Sequence, residues 1–374
     1  MGTMGTSELP VIVTHQADPP ADWDDFVMEC DPSHFEQTSW WANVESVDGW
    51  SSRYIVGRVG NSIEAGAMVL VRRQGRIGKV GYIFRGPLLR REPAAAARAR
   101  GPLVSGIKRL SRQERLVLLV VVPPYDGDVL ARELLGRGFL RHPRRMSPRD
   151  LPPGTITIDL RPGYEAVTHG FRHTLQKQVK RAARKGVEVS LGSAEELETF
   201  WARHQDLCRR RGVRSNIPSY DFVRRVWGEL HDRGRAWMFQ AKLDGLVLCS
   251  LICLGAGKWF YAWRIGWLPD SEKAYPTQAA FCRAIEVATK EGYHFFDFLE
   301  IHPDDVRYFE QGIRPNTPTS GVTFFKLGFG GTVKELPPAL DWFPNPILRL
   351  FMRGIGLRLL SCRWFPTRAG RISR

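Results

Sequence analysis

The sequence predicts a mixed α/β (α+β) fold arranged as two successive domains. Three observations carry this. The chain has 374 residues, long enough for two ordinary domains. Short apolar runs of strand length, bounded by turn residues, alternate with segments of helical period. A stretch rich in proline and arginine, His142–Gly154, interrupts the pattern near mid-chain. The composition, 43% hydrophobic and 25% charged, is that of a globular chain, neither disordered nor fibrous.

Residues 1–10 read as a flexible tail, and residues 11–150 as the N-terminal domain. Within it, Ser52–Val59 and Ile63–Arg72 alternate around Gly60-Asn61 and predict a hairpin. Leu116–Val122 is wholly apolar and predicts a buried strand. Asp128–Gly136 follows as a helix, and then Gly138-Phe139-Leu140.

The second domain is expected over residues 151–340, starting at Thr155. A helix is predicted over Tyr164–Lys185, with Phe171, Leu175, Val179 and Ala182 or Ala183 as its apolar stripe. Its other faces carry Arg172, Lys177, Lys180, Arg181, Arg184 and Lys185, with no acid between Phe171 and Lys185. Like charges at this spacing repel. The helix therefore reads as a surface for a phosphate backbone, against the plainer reading of a solvated face. Helices near Ala194–Arg211 and Ser219–Asp232 come next. Strands follow at Ala236–Leu243, Leu246–Leu254 and Lys258–Arg264, joined by tight turns at Asp244-Gly245 and Ala256-Gly257.

A helix is then predicted from Phe281, Ala284, Ile285 and Ala288, closing at Gly292. Tyr293–Phe298 reads as a buried strand with a single carboxylate, Asp297. The run Gly321–Gly331 is apolar and β-prone and ends in glycines, so it reads as a strand holding one lysine, Lys326, between aromatics. A lysine so flanked is expected to be partly buried, and a buried ammonium is costly unless it meets an anion. The alternative is a lysine that snorkels to water.

Helix, Asp-bearing strand, then Phe-Lys closing on Phe-Gly-Gly: in this order the chain resembles the Fem family of nonribosomal peptidyl transferases. Phe35-Glu36-Gln37-Thr38-Ser39-Trp40-Trp41-Ala42 is similar to that family's opening signature. Phe84-Arg85-Gly86-Pro87 resembles its Arg-Gly-Pro turn, and Arg209-Arg210-Arg211-Gly212-Val213 its Arg-x-Gly segment. The similarity runs from about Phe35 to about Glu335. It implies two tandem GNAT-like (acyl-CoA N-acyltransferase) domains packed side by side. It also implies transfer of an amino acid from aminoacyl-tRNA to an amine, with Phe325 and Lys326 at the site and Lys326 stabilising an oxyanion or a tRNA phosphate.

Around these residues the sequence suggests further roles. Asp297 is a candidate to orient or deprotonate the amine, beside a structural role at a strand end. Tyr261, Trp263 and Arg264 alternate along a strand expected to approach the cleft, and with Arg210, Arg211 and Arg85 they are candidates for acceptor binding. Core packing is the alternative for the aromatics. Family members that use the nucleotide-linked muramyl peptide often place a lysine after Trp-Ala. This chain has Asn43 there, which leaves a small-molecule or peptide amine open as acceptor.

Other chemistries lack their motifs. The chain has no Gly-x-Ser-x-Gly turn and no Gly-x-x-x-x-Gly-Lys-Ser/Thr loop, so an acyl group must arrive activated. It also lacks the glycine-rich loop that grips a coenzyme A pyrophosphate at a helix start. Cys249 and Cys253, about 13 Å apart on one strand face, cannot share a disulfide or a metal. No metal and no cofactor beyond the aminoacyl-tRNA co-substrate are expected. The net charge of +15 favours polyanionic partners, beside a general arginine bias. Residues 1–22 show no signal peptide, and the cysteines suit a reducing compartment, so a cytoplasmic monomer is expected. Residues 341–374 lack acids after Asp341 and predict a basic amphipathic segment for peripheral membrane or RNA contact, beside the plainer reading of a helix packed onto the second domain with a frayed basic tail. Two rival readings stay open: an N-acyltransferase using a coenzyme A or carrier-protein thioester, and a non-catalytic RNA- or membrane-binding protein.

Overall fold

The structure is a computed structural model that describes residues 11–90, 92–143, 153–301 and 321–356. It divides into two compact units, residues 1–142 with 337–359 and residues 143–336 with 360–374. Each is built on its own sheet.

The first sheet takes the order β1-β2-β3-β4-β6-β15-β7, with β5 (Leu88–Leu89) paired to β3. β2 (Ser51–Val59) and β3 (Ser62–Gln74) form the expected hairpin, longer by a few residues. β4 (Gly78–Ile83) pairs in parallel with β6 (Leu116–Val121), from Lys79/Leu116 through Ile83/Val121. β1 is Ile12–Gln16 and β7 Leu140–Arg141. The long helix α3 (Pro93–Gln113) buries Ala99, Leu103, Val104, Ile107 and Leu110, an i, i+3/i+4 stripe, against Ile55, Val69 and Leu119. Helices α1 (Trp23–Glu29), α2 (Ser39–Ser46) and α4 (Asp128–Gly136) complete the unit.

The chain re-enters this first sheet late. β15 (Leu340–Trp342) lies between β6 and β7, although residues 341–374 read as a separate C-terminal segment. Burial explains the difference. Leu340, Asp341 and Trp342 are all buried, and Asp341 meets His142 Nδ1 at 2.6 Å. Three residues are too few to show a strand period in the sequence.

The second sheet takes the order β14-β8-β13-β12-β11-β10-β9. β10 (Ala236–Leu243), β11 (Leu246–Ala256) and β12 (Trp259–Trp267) form the antiparallel meander read from the sequence. β8 (Gly154–Asp159) runs antiparallel to both β13 (Phe295–Glu300) and β14 (Thr332–Glu335), and β9 (Glu188–Leu191) forms an edge. Helix α9 (Pro276–Lys290) packs Phe281, Ala284, Ile285 and Ala288 on one face of the sheet, and Gly292 follows it at φ +79. Helices α7 (Leu197–Arg210) and α8 (Tyr220–Leu230) pack against the sheet as well.

Two expectations are corrected here. The helix read over Tyr164–Lys185 is two helices, α5 (Tyr164–His169) and α6 (His173–Arg184). The break falls at Gly170-Phe171-Arg172, where the Arg172 N–H leaves the helical pattern and donates to Gly328 O at 2.8 Å. The Phe-Lys run is also a helix, not a strand: α10 spans Gly321–Leu327. Phe325 and Phe329, four residues apart, both pack on Phe281, at 5.4 and 5.6 Å between ring centroids. Tertiary burial thus overrides the β preference of the Phe, Val and Thr around them.

Most of the linker expected over His142–Gly154 and the first ten residues lie outside the described residues, as do residues 357–374.

Candidate active site

The parallel pair β12/β13 opens the site. Its register holds for three residues, Trp259/Phe295 to Tyr261/Asp297, and then stops while both strands continue. The corresponding parallel pair of the first unit, β4/β6, stays joined through five paired positions. Strands that part leave backbone carbonyls without a ladder partner, and such groups need another donor.

Lys326 supplies it. Its ammonium donates to the carbonyl of Leu299 at 3.2 Å and to that of Glu300. Leu299 has a left-handed backbone, φ +55, which costs a non-glycine residue on the order of 1–2 kcal/mol. Asp297 holds that turn. It is fully buried and accepts from the Leu299 N–H at 2.6 Å and from Thr155 Oγ1 at 2.5 Å.

Burial lowers the Lys326 pKa to about 8. The charges of Glu300 and Asp297 oppose that shift, and Arg264 and Arg211 add to it. Three cations therefore lie within electrostatic reach of one another.

A cavity of about 230 Å³ lies beside Lys326, and all of its lining among the described residues belongs to the second unit. Phe325, Lys326 and Val322 come from α10, Pro276, Thr277 and Gln278 from the first turn of α9, and Arg211 from the end of α7. A helix start carries partial positive charge. Arg211 has no acidic partner among the described residues, and burial together with neighbouring Arg210 pulls its pKa down. Glu272 is the carboxylate of the lining among the described residues.

A β-bulge decides which residues of β12 reach this space. Cys253 pairs with Ala262 but Ile252 with Arg264, so Trp263 is an extra residue. The insertion reverses the alternation beyond it, and Ile265 and Trp267 line the cavity. Tyr261 and Trp263, expected there, are instead buried in packing and are not lining residues. Arg264 donates to Trp263 O at 2.7 Å and influences Lys326 through its charge.

The remaining expected residues divide. Arg210 is tied to Asp206 at 2.9 Å and to Trp267 O at 2.8 Å, with its guanidinium 4.4 Å from the Trp267 ring, which makes it a support for the wall. Arg85 belongs to the first unit, buried 4.7 Å from the Tyr125 ring, and does not line this cavity. Arg172 is no free phosphate ligand. It donates to Phe324 O at 2.8 Å and stacks 3.6 Å from that ring, clamping α10 to the start of α6. Lys177, Lys180, Arg181 and Arg184 are exposed on α6 without acidic partners among the described residues, and Lys185 donates to Lys273 O at 2.9 Å.

Sequence reasoning missed Glu272, Thr277, Gln278, Ile265 and Trp267. One signal was present: Leu268–Tyr275, between β12 and α9, contains no glycine, and the helix opens on proline.

Residues 19–131 match the FemAB family model, and residues 169–309 match a GNAT acetyltransferase domain model. No curated protein matches the sequence. Among solved structures, the fold is similar to the crystal structure of FemX, with a TM-score of 0.76 at 16% identity over 90% of this chain and 99% of that one. It is also similar to a tandem GNAT protein from the clavulanic acid biosynthesis pathway (0.51, 12%, 90% and 99%). L-PGS from Bacillus licheniformis is another similar structure (0.50, 13%, 92% and 98%). The FemAB model falls on residues 19–131 and the GNAT model on residues 169–309, successive stretches of a chain whose architecture repeats this tandem arrangement: the fold is that of two GNAT-like domains.

Proposed function

We propose that this protein is an aminoacyltransferase that moves an amino acid from aminoacyl-tRNA to an amine on a small-molecule or peptide acceptor. The observation that carries the reading is Lys326, an ammonium beside a cavity, with its pKa lowered to about 8 and with Arg211 and the start of α9 on the same walls.

In this reaction the neutral amine attacks the ester carbonyl, and the oxygen takes up negative charge. The C–O bond to the ribose then breaks and the new C–N bond remains. The amine's proton ends on solvent or on the departing hydroxyl. A lysine with a pKa near 8 is mostly protonated at neutral pH and can donate to that oxyanion. Phe325 and Trp267 provide apolar walls that keep water from competing. Arg211 and the α9 start would hold a phosphate. The exposed cations of α6 would extend that grip along the tRNA backbone. Asp297 acts as a positioning residue through the Leu299 turn.

A thioester donor is the second reading, favoured by the GNAT domain match. Against it stands the segment before α9, which lacks glycine and so lacks the turn that wraps both phosphates of a coenzyme A pyrophosphate.

The test follows label from a pool of charged tRNA into a small-molecule extract, with and without RNase pretreatment of the tRNA. RNase-sensitive transfer is expected. Transfer that survives RNase would overturn the tRNA reading in favour of a thioester.

A further inference from the structure

The first unit carries an exposed apolar ridge bordered by cations. It lies on α11 (Pro346–Phe351), which Asn345 caps by accepting from the N–H groups of Ile347 and Leu348 at 2.9 and 3.1 Å. The helical pitch gives this short element two apolar sides. Met352 is buried and Leu348 half-buried on the inner side. Ile347, Leu350 and Phe351, spaced i, i+3 and i+4, are 78%, 73% and 52% exposed. Single exposed apolar residues need no explanation, but three in one stripe do.

The surroundings are cationic. Arg349 sits 4.2 Å from the Trp342 ring and Lys108 4.4 Å from the same ring. Partial burial, then the charges of Arg349, Arg137 and Arg112, hold the Lys108 pKa below its ordinary value. Arg137 pairs with Glu133. Lys108, Arg112, Arg349 and Arg353 have no acidic partner among the described residues. No acid follows Asp341 in the sequence, while Arg358, Arg363, Arg368, Arg371 and Arg374 still lie ahead.

We propose that this face of the first unit docks on an anionic lipid bilayer. Ile347, Leu350 and Phe351 enter the boundary between headgroups and acyl chains, and the neighbouring cations meet the headgroup charge. The charge pattern alone would suit RNA as well, but RNA would leave Ile347 and Leu350 in water. A bilayer satisfies both halves of the surface. The contact is peripheral, since no helix among the described residues is long and apolar enough to cross a membrane. This inference stands apart from the transfer reaction.

The test is co-sedimentation of the full chain with vesicles of phosphatidylcholine alone and of phosphatidylcholine with phosphatidylglycerol, in about 0.1 M salt. Binding should be at least tenfold tighter to the anionic vesicles and should weaken as salt rises. The double variant I347E/L350E should bind at least tenfold more weakly with its thermal midpoint unchanged. Arg353→Ala, at an exposed position, should weaken binding roughly fivefold, the share of one cation near such a surface. Equal binding to both vesicles, no binding to either, or undiminished binding by I347E/L350E would overturn the proposal. So would a wild-type dimer that this variant converts to monomer, since the ridge would then be covered by a second copy.

Discussion

Lys326 Nζ lies 3.2 Å from the carbonyl oxygen of Leu299, a residue whose own backbone is forced into the left-handed region at φ +55. The two features belong together. Where β12 and β13 part, the carbonyls of Leu299 and Glu300 face the lysine rather than a neighbouring strand. Asp297 fixes the turn by accepting the Leu299 N–H. The strained turn and the helical Phe-Lys segment thus place one cation where the sheet is open. A strand at Gly321–Leu327 would have spent its backbone groups on a ladder, and the lysine would have pointed across a sheet face.

If Lys326 stabilises the oxyanion, Lys326→Met should lower kcat on the order of 10²-fold or more. Its charge disappears as pH rises through about 8, so wild-type kcat/KM should fall above that pH. Lys326→Arg keeps its charge, and any activity it retains should lack this alkaline limb. Near wild-type turnover in Lys326→Met would remove the lysine from the mechanism.

The same shift predicts a stability signature. The folded-state pKa of about 8 lies below the ordinary 10.5, so between these values the unfolded chain binds more protons. The lysine's contribution is complete above about 10.5 and is lost as pH falls to about 8. Thermal midpoints of wild type and Lys326→Met, compared across that window, should move in favour of the wild type as pH rises. A constant difference would mean that Lys326 titrates at its ordinary value.

Asp297→Asn separates position from charge. The carboxylate supports the Lys326 cation, so neutralising it should move the alkaline limb to lower pH. It should also cost about 1.5–3 kcal/mol of stability, because two buried hydrogen bonds lose a charged acceptor. A destabilised variant with an unmoved limb would leave Asp297 a purely structural residue.

Much of the frame was legible from run length and period. The hairpin of β2 and β3 and the meander read from Ala236 to Arg264 are runs of strand length set between turn residues, and the helix ending near Gly292 shows helical spacing. The site was legible in part. Lys326, Phe325 and Arg211 do line one cavity, but Tyr261 and Trp263 do not. The extra residue at Trp263 swaps the faces of β12, and nothing in the local pattern announces a bulge. Arg172 looked like one cation among several on α6. Its engagement with Phe324 depends on a segment more than 150 residues away in sequence.

Arg211 and Arg210 are neighbours in sequence with different surroundings. Arg211 lines the cavity and has no acidic partner among the described residues, so Arg211→Ala should raise KM for an anionic substrate about tenfold or more and leave the thermal midpoint near wild type. Arg210 braces Asp206 and Trp267. Arg210→Ala should lower the midpoint and affect KM less. Equal effects on KM from both would show that the wall, rather than a charge, had been damaged.

The α6 surface is tested by salt. Lys180, Arg181 and Arg184 are exposed and lack acidic partners among the described residues, so a phosphate backbone can reach them. Each phosphate contact contributes about 0.7–0.9 to the slope of log K against log salt. The triple variant K180E/R181E/R184E should weaken binding of charged tRNA and flatten that slope by about two if all three cations make contact. Its alkaline limb should stay near pH 8, because Lys326 keeps its surroundings. An unchanged slope would make α6 an ordinary solvated helix and move the search for the tRNA path elsewhere on the molecule.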